Sequence, residues 1–284
     1  KLQFSRAVAA KGPPPVAEIE ADLSETRELS ATTAVPYRPL TPEGLQEQLI
    51  SSVDAQAREA MRVSDVLLTL LGVIEPDVDL EKLMTDLYTE QLAGYYDPEE
   101  KAFYVLEGEE QTALDQMVIA HEYTHALQDQ HFGLEALTDE SLDSDQRRAF
   151  DALVEGDATL TMILYANDHV PVFDLLQSIS GAGGFESEVL DTSPAFIREM
   201  ELFPYMDGLT FVAALYDSGG WAAVNEAYEN PPQSTEQVLH PERYREGDMP
   251  EKVSLPDLAA ELGDDWQEVE SDVLGELALR LSLA

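Results

Sequence analysis

The sequence predicts a predominantly helical α+β fold, and three observations support this. Apolar residues recur at helical spacing along most of the chain, whereas aromatic and β-branched residues concentrate in one short stretch, residues 94–106. The 284 residues are enough to bury a full core. A hydrophobic fraction of 44% and a charged fraction of 26% are those of an ordinary globular protein, which argues against wholesale disorder and against a fibrous repeat.

The N-terminal part is expected to differ from the rest of the chain. Residues 1–40 mix Gly12-Pro13-Pro14-Pro15 with acidic and small residues, which predicts an extended N-terminal arm. Thr41-Pro42-Glu43 has the composition of a helix start, and apolar residues follow it at helical spacing as far as Leu70. We therefore expect a single domain over residues 41–284, with a core at about residues 78–170 and a helical C-terminal part at about residues 171–284.

The expected sheet is a small antiparallel hairpin. It comprises Tyr95-Tyr96, a turn at Asp97-Pro98 and a second strand at residues 103–106. A helix precedes the hairpin from Asp79 to Leu92. After the hairpin, helices are predicted over residues 110–132, 144–166, 206–217, 220–229, 234–240 and 272–282.

The charge of the chain excludes two classes of partner. Asp and Glu number 57 against 16 Lys and Arg, which gives a net charge of -41. Such a surface repels nucleic acid and anionic lipid, so neither is expected as a partner. The bias is typical of proteins from high-salt environments, which predicts a melting temperature that climbs steeply with added KCl or NaCl. A flat response would favour the equally weighted alternative, an acidic secreted protein.

Cysteine is absent, so any protein-bound metal must use histidine and carboxylate side chains. No apolar run approaches the roughly 18 residues that a membrane-spanning helix needs. The chain begins at Lys1 and not at methionine, which favours a removed signal peptide or lipid anchor and hence a secreted or cell-surface location.

The most informative motif is His121-Glu122-Tyr123-Thr124-His125, within a predicted helix. Two histidines four residues apart are separated by about 40° around a helix axis and by roughly 6 Å along it, so both imidazoles can reach one ion. Glu122 lies about 100° from His121, where it can take a proton from a metal-activated water instead of binding the metal. The alternative is an exposed helix that carries these residues without an ion. The apolar neighbours of the motif, such as Ile119 and Leu127, favour a buried helix instead.

Two residues compete to be the third protein ligand of this site. His131 has the spacing of the third histidine in the pattern HExxHxxGxxH, but Gln128 replaces the glycine, and an unbroken helix turns His131 about 240° away from His125. Glu155 is the better choice, because it lies in an apolar helix where an unpaired carboxylate is costly. An ordinary exposed or salt-bridged acid is the alternative interpretation of Glu155.

The neighbours of Glu155 have predicted roles of their own. Gly156 and Ala158 are small, and we expect them to let this helix approach the motif helix closely. Asp151 and Asp157 are candidates to accept hydrogen bonds from the ligand histidines, which usually donate their second N–H to a neighbouring acceptor.

These residues resemble gluzincin-type metallopeptidases, in which an HExxH helix is followed by a ligand helix like residues 154–158, Val-Glu-Gly-Asp-Ala. More narrowly, the chain resembles a poorly characterised group of prokaryotic metallopeptidases. The shared stretches are residues 94–98, 203–208, 219–221 and 231–244. The resemblance covers residues 40–280 and implies a zincin-like catalytic core with the hairpin packed on the motif helix, bound Zn²⁺ and peptide-bond hydrolysis. Thr159 departs from the better-known gluzincins, which often carry Asp at this place.

The sequence thus predicts a zinc peptidase that acts on a peptide or protein substrate. His121, His125 and Glu155 are expected to hold Zn²⁺, and Glu122 is expected to be the general base. Two rival functions are a non-catalytic binding or scaffold protein stabilised by zinc, and a metal-dependent hydrolase of another bond.

Peptide hydrolysis also needs a donor for the developing oxyanion. His240 is the first candidate, because Pro241 keeps it out of helical geometry at the end of a short helix that Ser234 and Gln237 are expected to cap. Tyr244 is a weaker candidate. Packing at the helix end is the alternative role of His240.

Overall fold

The computed structural model describes residues 16–41, 44, 55–91, 94–106, 112–134, 141–175, 187–256, 258–263, 265–269 and 271–283. The helices in these ranges are α1 Val16–Thr26, α2 Ala55–Leu70, α3 Leu80–Gln91, α4 Ala113–Phe132, α5 Ser144–His169, α6 Glu188–Thr192, α7 Ala195–Glu229, α8 Thr235–Leu239, α9 Pro241–Glu246, α10 Leu258–Leu262 and α11 Gly275–Ser282. The strands are β1 Tyr37–Leu40, β2 Gly94–Asp97 and β3 Ala102–Leu106. The predicted fold class, mainly helical with a small sheet, is therefore confirmed. No helix in the described ranges has the length and apolarity to cross a membrane.

The chain divides into two compact units, and the first contains Lys1–Glu47, Leu92–His131 and Thr161–Glu186. Its sheet has the strand order β1-β3-β2. Strands β2 and β3 form the predicted antiparallel hairpin, with Tyr95 opposite Tyr104. Strand β1 pairs in parallel with β3 on the other side, with Tyr37 opposite Phe103. The sheet is thus mixed, and β2 is an edge strand.

The structure differs from the extended arm predicted for residues 1–40. Residues 16–26 form α1, whose Ile19 and Leu23 are fully buried. These side chains are four residues apart and lie on one face of the helix, which gives α1 an apolar stripe to pack. The Gly12–Pro15 segment that motivated the prediction lies outside the described residues, as do Pro42 and Glu43 of the predicted helix start.

The second unit, Gln48–Gln91, Phe132–Leu160 and Ser187–Ala284, is helical throughout its described elements. A cluster of buried apolar residues joins α3, α7 and α11, and includes Leu87, Ile197 and Ala278. Helix α7 begins at Ala195, earlier than the predicted residue 206, and it continues through Pro204.

Helix α7 tolerates Pro204 because the carbonyl group that loses its partner finds another donor. Proline has no N–H and cannot bond the carbonyl four residues earlier, that of Met200. In the structure Arg148 of α5 donates to this oxygen at 3.3 Å. The helix breaks only at Gly219 and Gly220, which have non-helical backbone angles, close to the predicted boundary between two helices.

Helices α5 and α7 touch through their backbones at two glycines. A Cβ atom on Gly156 would lie 2.2 Å from the carbonyl oxygen of Gly208, and one on Gly208 would lie 2.3 Å from that of Ala152. Neither position has room for a side chain. The close approach predicted at Gly156 is therefore made to α7, so naming the motif helix as its partner was wrong.

Candidate metal centre

Helix α4 carries the HExxH motif, and its ends follow from local sequence. At its start, Thr112 and Asp115 cap each other reciprocally: Asp115 N donates to Thr112 Oγ1 at 3.2 Å and Thr112 N donates to Asp115 Oδ2 at 2.6 Å. At its end, Gly133 adopts a φ of 72°, in the left-handed region that favours glycine at a helix C-terminus. The helix buries an unusually polar set of side chains for its interior, namely Thr124, His125, Gln128 and Asp129.

The two motif histidines face each other at the distance that a shared ligand needs. His125 Nε2 lies 3.1 Å from His121 Nε2, and the rings are nearly perpendicular. In a tetrahedral zinc site with Zn–N bonds of about 2.05 Å, two ligand nitrogens are separated by about 3.3 Å. The same contact is a hydrogen bond when His121 Nε2 carries the proton. The pair is therefore arranged so that one ion fits between the two nitrogens.

The tautomer of His125 follows from its second contact. His125 Nδ1 lies 2.8 Å from Gln128 Oε1, and an amide oxygen only accepts hydrogen bonds. Nδ1 must therefore carry the proton, which leaves the lone pair on Nε2 for a metal. His125 is 9% exposed and Gln128 is fully buried, so the contact is shielded from water. Asp151 and Asp157 were predicted to accept from the ligand histidines, but for His125 this acceptor is Gln128.

Glu155, on α5, completes a group that could hold a metal ion. One ligand atom each from His121, His125 and Glu155 lies within 4.8 Å of the other two. The donor set of two imidazoles and one carboxylate suits Zn²⁺, which binds nitrogen and oxygen ligands and keeps a fourth position open in catalytic sites. The residues present therefore fit zinc, and the identity of the ion rests on this donor chemistry.

Glu122 is held in place by the hairpin. Its Oε2 accepts a hydrogen bond of 2.9 Å from the backbone N–H of Tyr96 in β2. The carboxylate is half-buried. One oxygen is thereby fixed, while a carboxylate has a second oxygen that can accept a proton.

His131 has a different neighbour. It is exposed, and its ring nitrogen Nε2 lies 2.8 Å from the carbonyl oxygen of Ser30, in the segment after α1. This is the direction that helical geometry predicts, since the unbroken helix turns residue 131 away from residue 125. Of the two candidate third ligands, the structure brings Glu155 and not His131 to the two motif histidines.

Asp157 lies fully buried on the same helix as Glu155. Its Oδ2 accepts a hydrogen bond of 2.9 Å from the hydroxyl of Tyr228 in α7. Asp151 is half-buried. Asp157 therefore contributes to fixing α5, the helix that carries Glu155, against α7.

His240 lies at the corner between α8 and α9. Its backbone is non-helical, as Pro241 predicts, and Gln237 N donates to Ser234 Oγ at 3.4 Å as the capping pattern predicts. The imidazole Nε2 lies 3.1 Å from Glu276 Oε1 of α11, and Nδ1 lies 3.9 Å from Glu242. These contacts join three short helices. They give no support to the oxyanion role, which stays a prediction.

Tyr244 also has contacts of a structural kind. Its hydroxyl donates to the backbone oxygen of Asn230 at 2.7 Å, and its ring packs edge-on against Phe211. It lines a cavity of about 650 Å³ together with Glu226 and Arg245. Its hydroxyl is thus already engaged, and its oxyanion role also stays a prediction.

Gln128 is the residue of the site that sequence reasoning missed. In the sequence it stands where the pattern HExxHxxGxxH has glycine. The available signal was its position three residues after His125, on the face of an apolar helix that also carries both histidines. A polar side chain at such a place needs a partner, and here the partner is a metal-ligand candidate.

Comparison with known proteins found no relative: no family model, no curated protein and no solved structure matches the chain. The function of the chain is therefore inferred from the site itself.

Proposed function

We propose that this chain is a zinc-dependent peptidase with a gluzincin-like core, in which His121, His125 and Glu155 hold the ion. One observation carries the proposal. Two imidazole nitrogens lie 3.1 Å apart, and the ligand atoms of all three residues lie within 4.8 Å, on helices whose sequence also supplies the acid Glu122. This is the donor set and the general base that metal-assisted hydrolysis requires.

Each residue has a separate task in the proposed reaction. Zinc, when bound, would polarise the scissile carbonyl and lower the pKa of the attacking water. Glu122 accepts the proton of that water and passes it to the leaving amine. Gln128 keeps His125 in the tautomer whose Nε2 is free of a proton. The Tyr96 N–H holds one oxygen of Glu122 and thereby orients the carboxylate that accepts the proton.

A scaffold protein stabilised by zinc would need the three metal ligands but would not hydrolyse peptides. Glu122 alone does not separate the two functions, because its carboxylate also bonds the hairpin. The two functions are distinguished by whether the chain hydrolyses peptides and whether hydrolysis needs a proton acceptor at residue 122.

The test combines metal analysis with digestion of a peptide library, with and without chelator. We expect the purified chain to bind one equivalent of zinc and to cleave peptides only when metal is present. Glu122→Gln should keep zinc and reduce cleavage by about 10²-fold or more, the contribution typical of general-base catalysis. Glu99→Gln, on the exposed hairpin turn, is the control for the same change of charge.

Each other outcome would point to a different function or would refute part of the proposal. Zinc binding without cleavage of any peptide would support the scaffold function. Cleavage that survives in Glu122→Gln would refute the assigned base. Absence of metal binding would remove the proposal altogether.

A further inference from the structure

The β2–β3 hairpin contacts α4 at two points that are two helical turns apart. Near the motif, Tyr96 N donates to Glu122 Oε2 at 2.9 Å. Further along, Asp129 Oδ2 accepts hydrogen bonds of 2.8 Å from both Tyr96 Oη and Lys101 Nζ. Glu122 and Asp129 are seven residues apart and therefore lie on the same face of the helix. One residue, Tyr96, makes both contacts, with its backbone to the motif and its side chain to Asp129.

The register of the sheet explains why the Tyr96 N–H is available. Phe103 N donates to Pro36 O on the β1 side, so the Tyr96–Phe103 pair does not exchange hydrogen bonds across the hairpin. The Tyr96 N–H then points away from β3, at the open edge of β2. Glu122 satisfies this donor. A shift of one residue in the register would turn the N–H inwards and remove it from Glu122.

The second contact uses one of only 16 Lys and Arg side chains in the chain. The side chain of Asp129 has no exposed surface, whereas the side chain of Lys101 is about half exposed. Lys101 has a φ of 51°, so the turn of the hairpin adopts a conformation that is costly for a residue other than glycine. Burial and the neighbouring Asp129 carboxylate raise the pKa of Tyr96, so its hydroxyl stays protonated and donates at any ordinary pH.

We propose that Tyr96, Asp129 and Lys101 form a clamp that positions Glu122 for catalysis. The clamp fixes β2 against α4, and β2 in turn holds the carboxylate of Glu122 through the Tyr96 N–H. These three are positioning residues, since they act through Glu122. The inference rests on the proposed peptidase function for its kinetic consequence, but the clamp itself is a property of the hairpin and α4.

The experiment uses Tyr96→Phe and Asp129→Ala in the full chain, with Tyr95→Phe as the matched control. Tyr95 lies on the opposite face of β2 and stacks on Tyr104 with 4.9 Å between ring centroids. Amide hydrogen exchange at Tyr96 is measured first. We expect exchange to be about 10-fold faster in both clamp variants and in Glu122→Ala, and unchanged in Tyr95→Phe.

Kinetics then test the effect on the base. Below the melting temperature, Tyr96→Phe and Asp129→Ala should each slow turnover by about 10-fold, with KM and zinc content unchanged. Because both substitutions remove the hydrogen bond between Tyr96 and Asp129, the double variant should lose no more than the larger single effect. A merely structural clamp would lower the melting temperature and leave the turnover rate unchanged, which would overturn the proposal.

The exchange measurement separates this inference from the proposed function. If the wild-type chain hydrolyses no peptide, the peptidase proposal fails, and the amide exchange of Tyr96 still decides whether Glu122 and the clamp hold β2. Tyr96 exchange that is unaffected by Glu122→Ala would overturn the clamp whatever the activity.

Discussion

Helix α4 and the corner formed by α8 and α9, residues Thr235–Glu246, both carry a histidine among polar side chains, and they use these side chains differently. In α4, His125 contacts another histidine and a buried glutamine within the same helix. At the corner, His240 contacts Glu276 of a neighbouring helix, and Thr235 bonds Asp145 at the start of α5. In α4, the two motif histidines and Gln128 form one connected group, whereas the polar groups of the corner bond helix ends and a neighbouring helix.

The difference shows what kind of polar burial indicates a site. Helix ends carry N–H and C=O groups without partners in the helix, so polar side chains near them are explained by capping. The interior of a helix has no such need, and a buried His, Gln and Asp there require another reason. This difference supports the proposed function of α4 and a structural role for the corner.

The largest expected effect is a difference in zinc binding between variants of His125 and His240. His125→Ala should abolish zinc binding, because it removes one of three ligands and the residue that Gln128 orients. His240→Ala should retain zinc and a near wild-type turnover rate and cost at most about 1 kcal/mol of stability, as expected for a partly exposed contact with a carboxylate. Metal content, turnover rate and urea unfolding check this. If His240→Ala instead slowed turnover by about 10²-fold or more at unchanged metal content, its oxyanion role would be restored.

A smaller effect is expected at Gln128. Replacing it with Leu removes the acceptor for His125 Nδ1 and should weaken zinc affinity by about 10- to 100-fold. Gln130→Leu is the control on the same helix, since the Gln130 side chain bonds Thr32 and Thr33 and touches neither histidine. Competition with a chromogenic chelator gives both affinities. Equal affinities for the two variants would show that Gln128 has no influence on the site.

The smallest effect concerns Asp145, the buried acid of α5 that bonds Thr235 of the corner. Burial raises the pKa of Asp145 above its ordinary value, although Thr235 donates two hydrogen bonds to it. A carboxyl group with a raised pKa binds its proton more tightly when folded, so its contribution to stability is present in acid. That contribution is lost as the pH rises from about 4 through the folded pKa.

Asp145→Asn keeps the acceptor oxygen and removes the charge. We therefore expect this variant to gain stability relative to wild type as the pH rises through that range. Urea unfolding of the metal-free chain at about pH 4 and pH 7 measures the gain. The exposed Asp168→Asn is the control, and parallel pH profiles for both variants would contradict the assignment.

Local patterns in the sequence were enough to predict several features of the fold and of the site. The HExxH spacing, the hairpin at residues 94–106 and the rigid corner at Pro241 each depend on neighbours within a few residues, and all are present. Glu155 could also be inferred, because an acid in an apolar helix needs a partner wherever the partner lies.

Features that depend on distant parts of the chain could not be predicted in this way. Strand β1 pairs with β3 across more than 60 residues, and its Pro39 and short length give no strand signal. The partner of Gly156 is set by helix packing with Gly208, and that of His240 by the position of α11. The helix that contains Pro204 was predicted to start only at residue 206, and the donor that makes Pro204 tolerable inside it, Arg148, is more than 50 residues away.

The most direct test of the central claim is the zinc stoichiometry of Glu155→Gln beside that of His131→Ala, at matched ionic strength and after dialysis against buffer. Glu155 belongs to the three-residue group, whereas His131 contacts Ser30. We predict about one zinc per chain in the wild type and in His131→Ala, and almost none in Glu155→Gln. Full zinc occupancy in Glu155→Gln together with loss in His131→Ala would contradict the account and make His131 the third ligand.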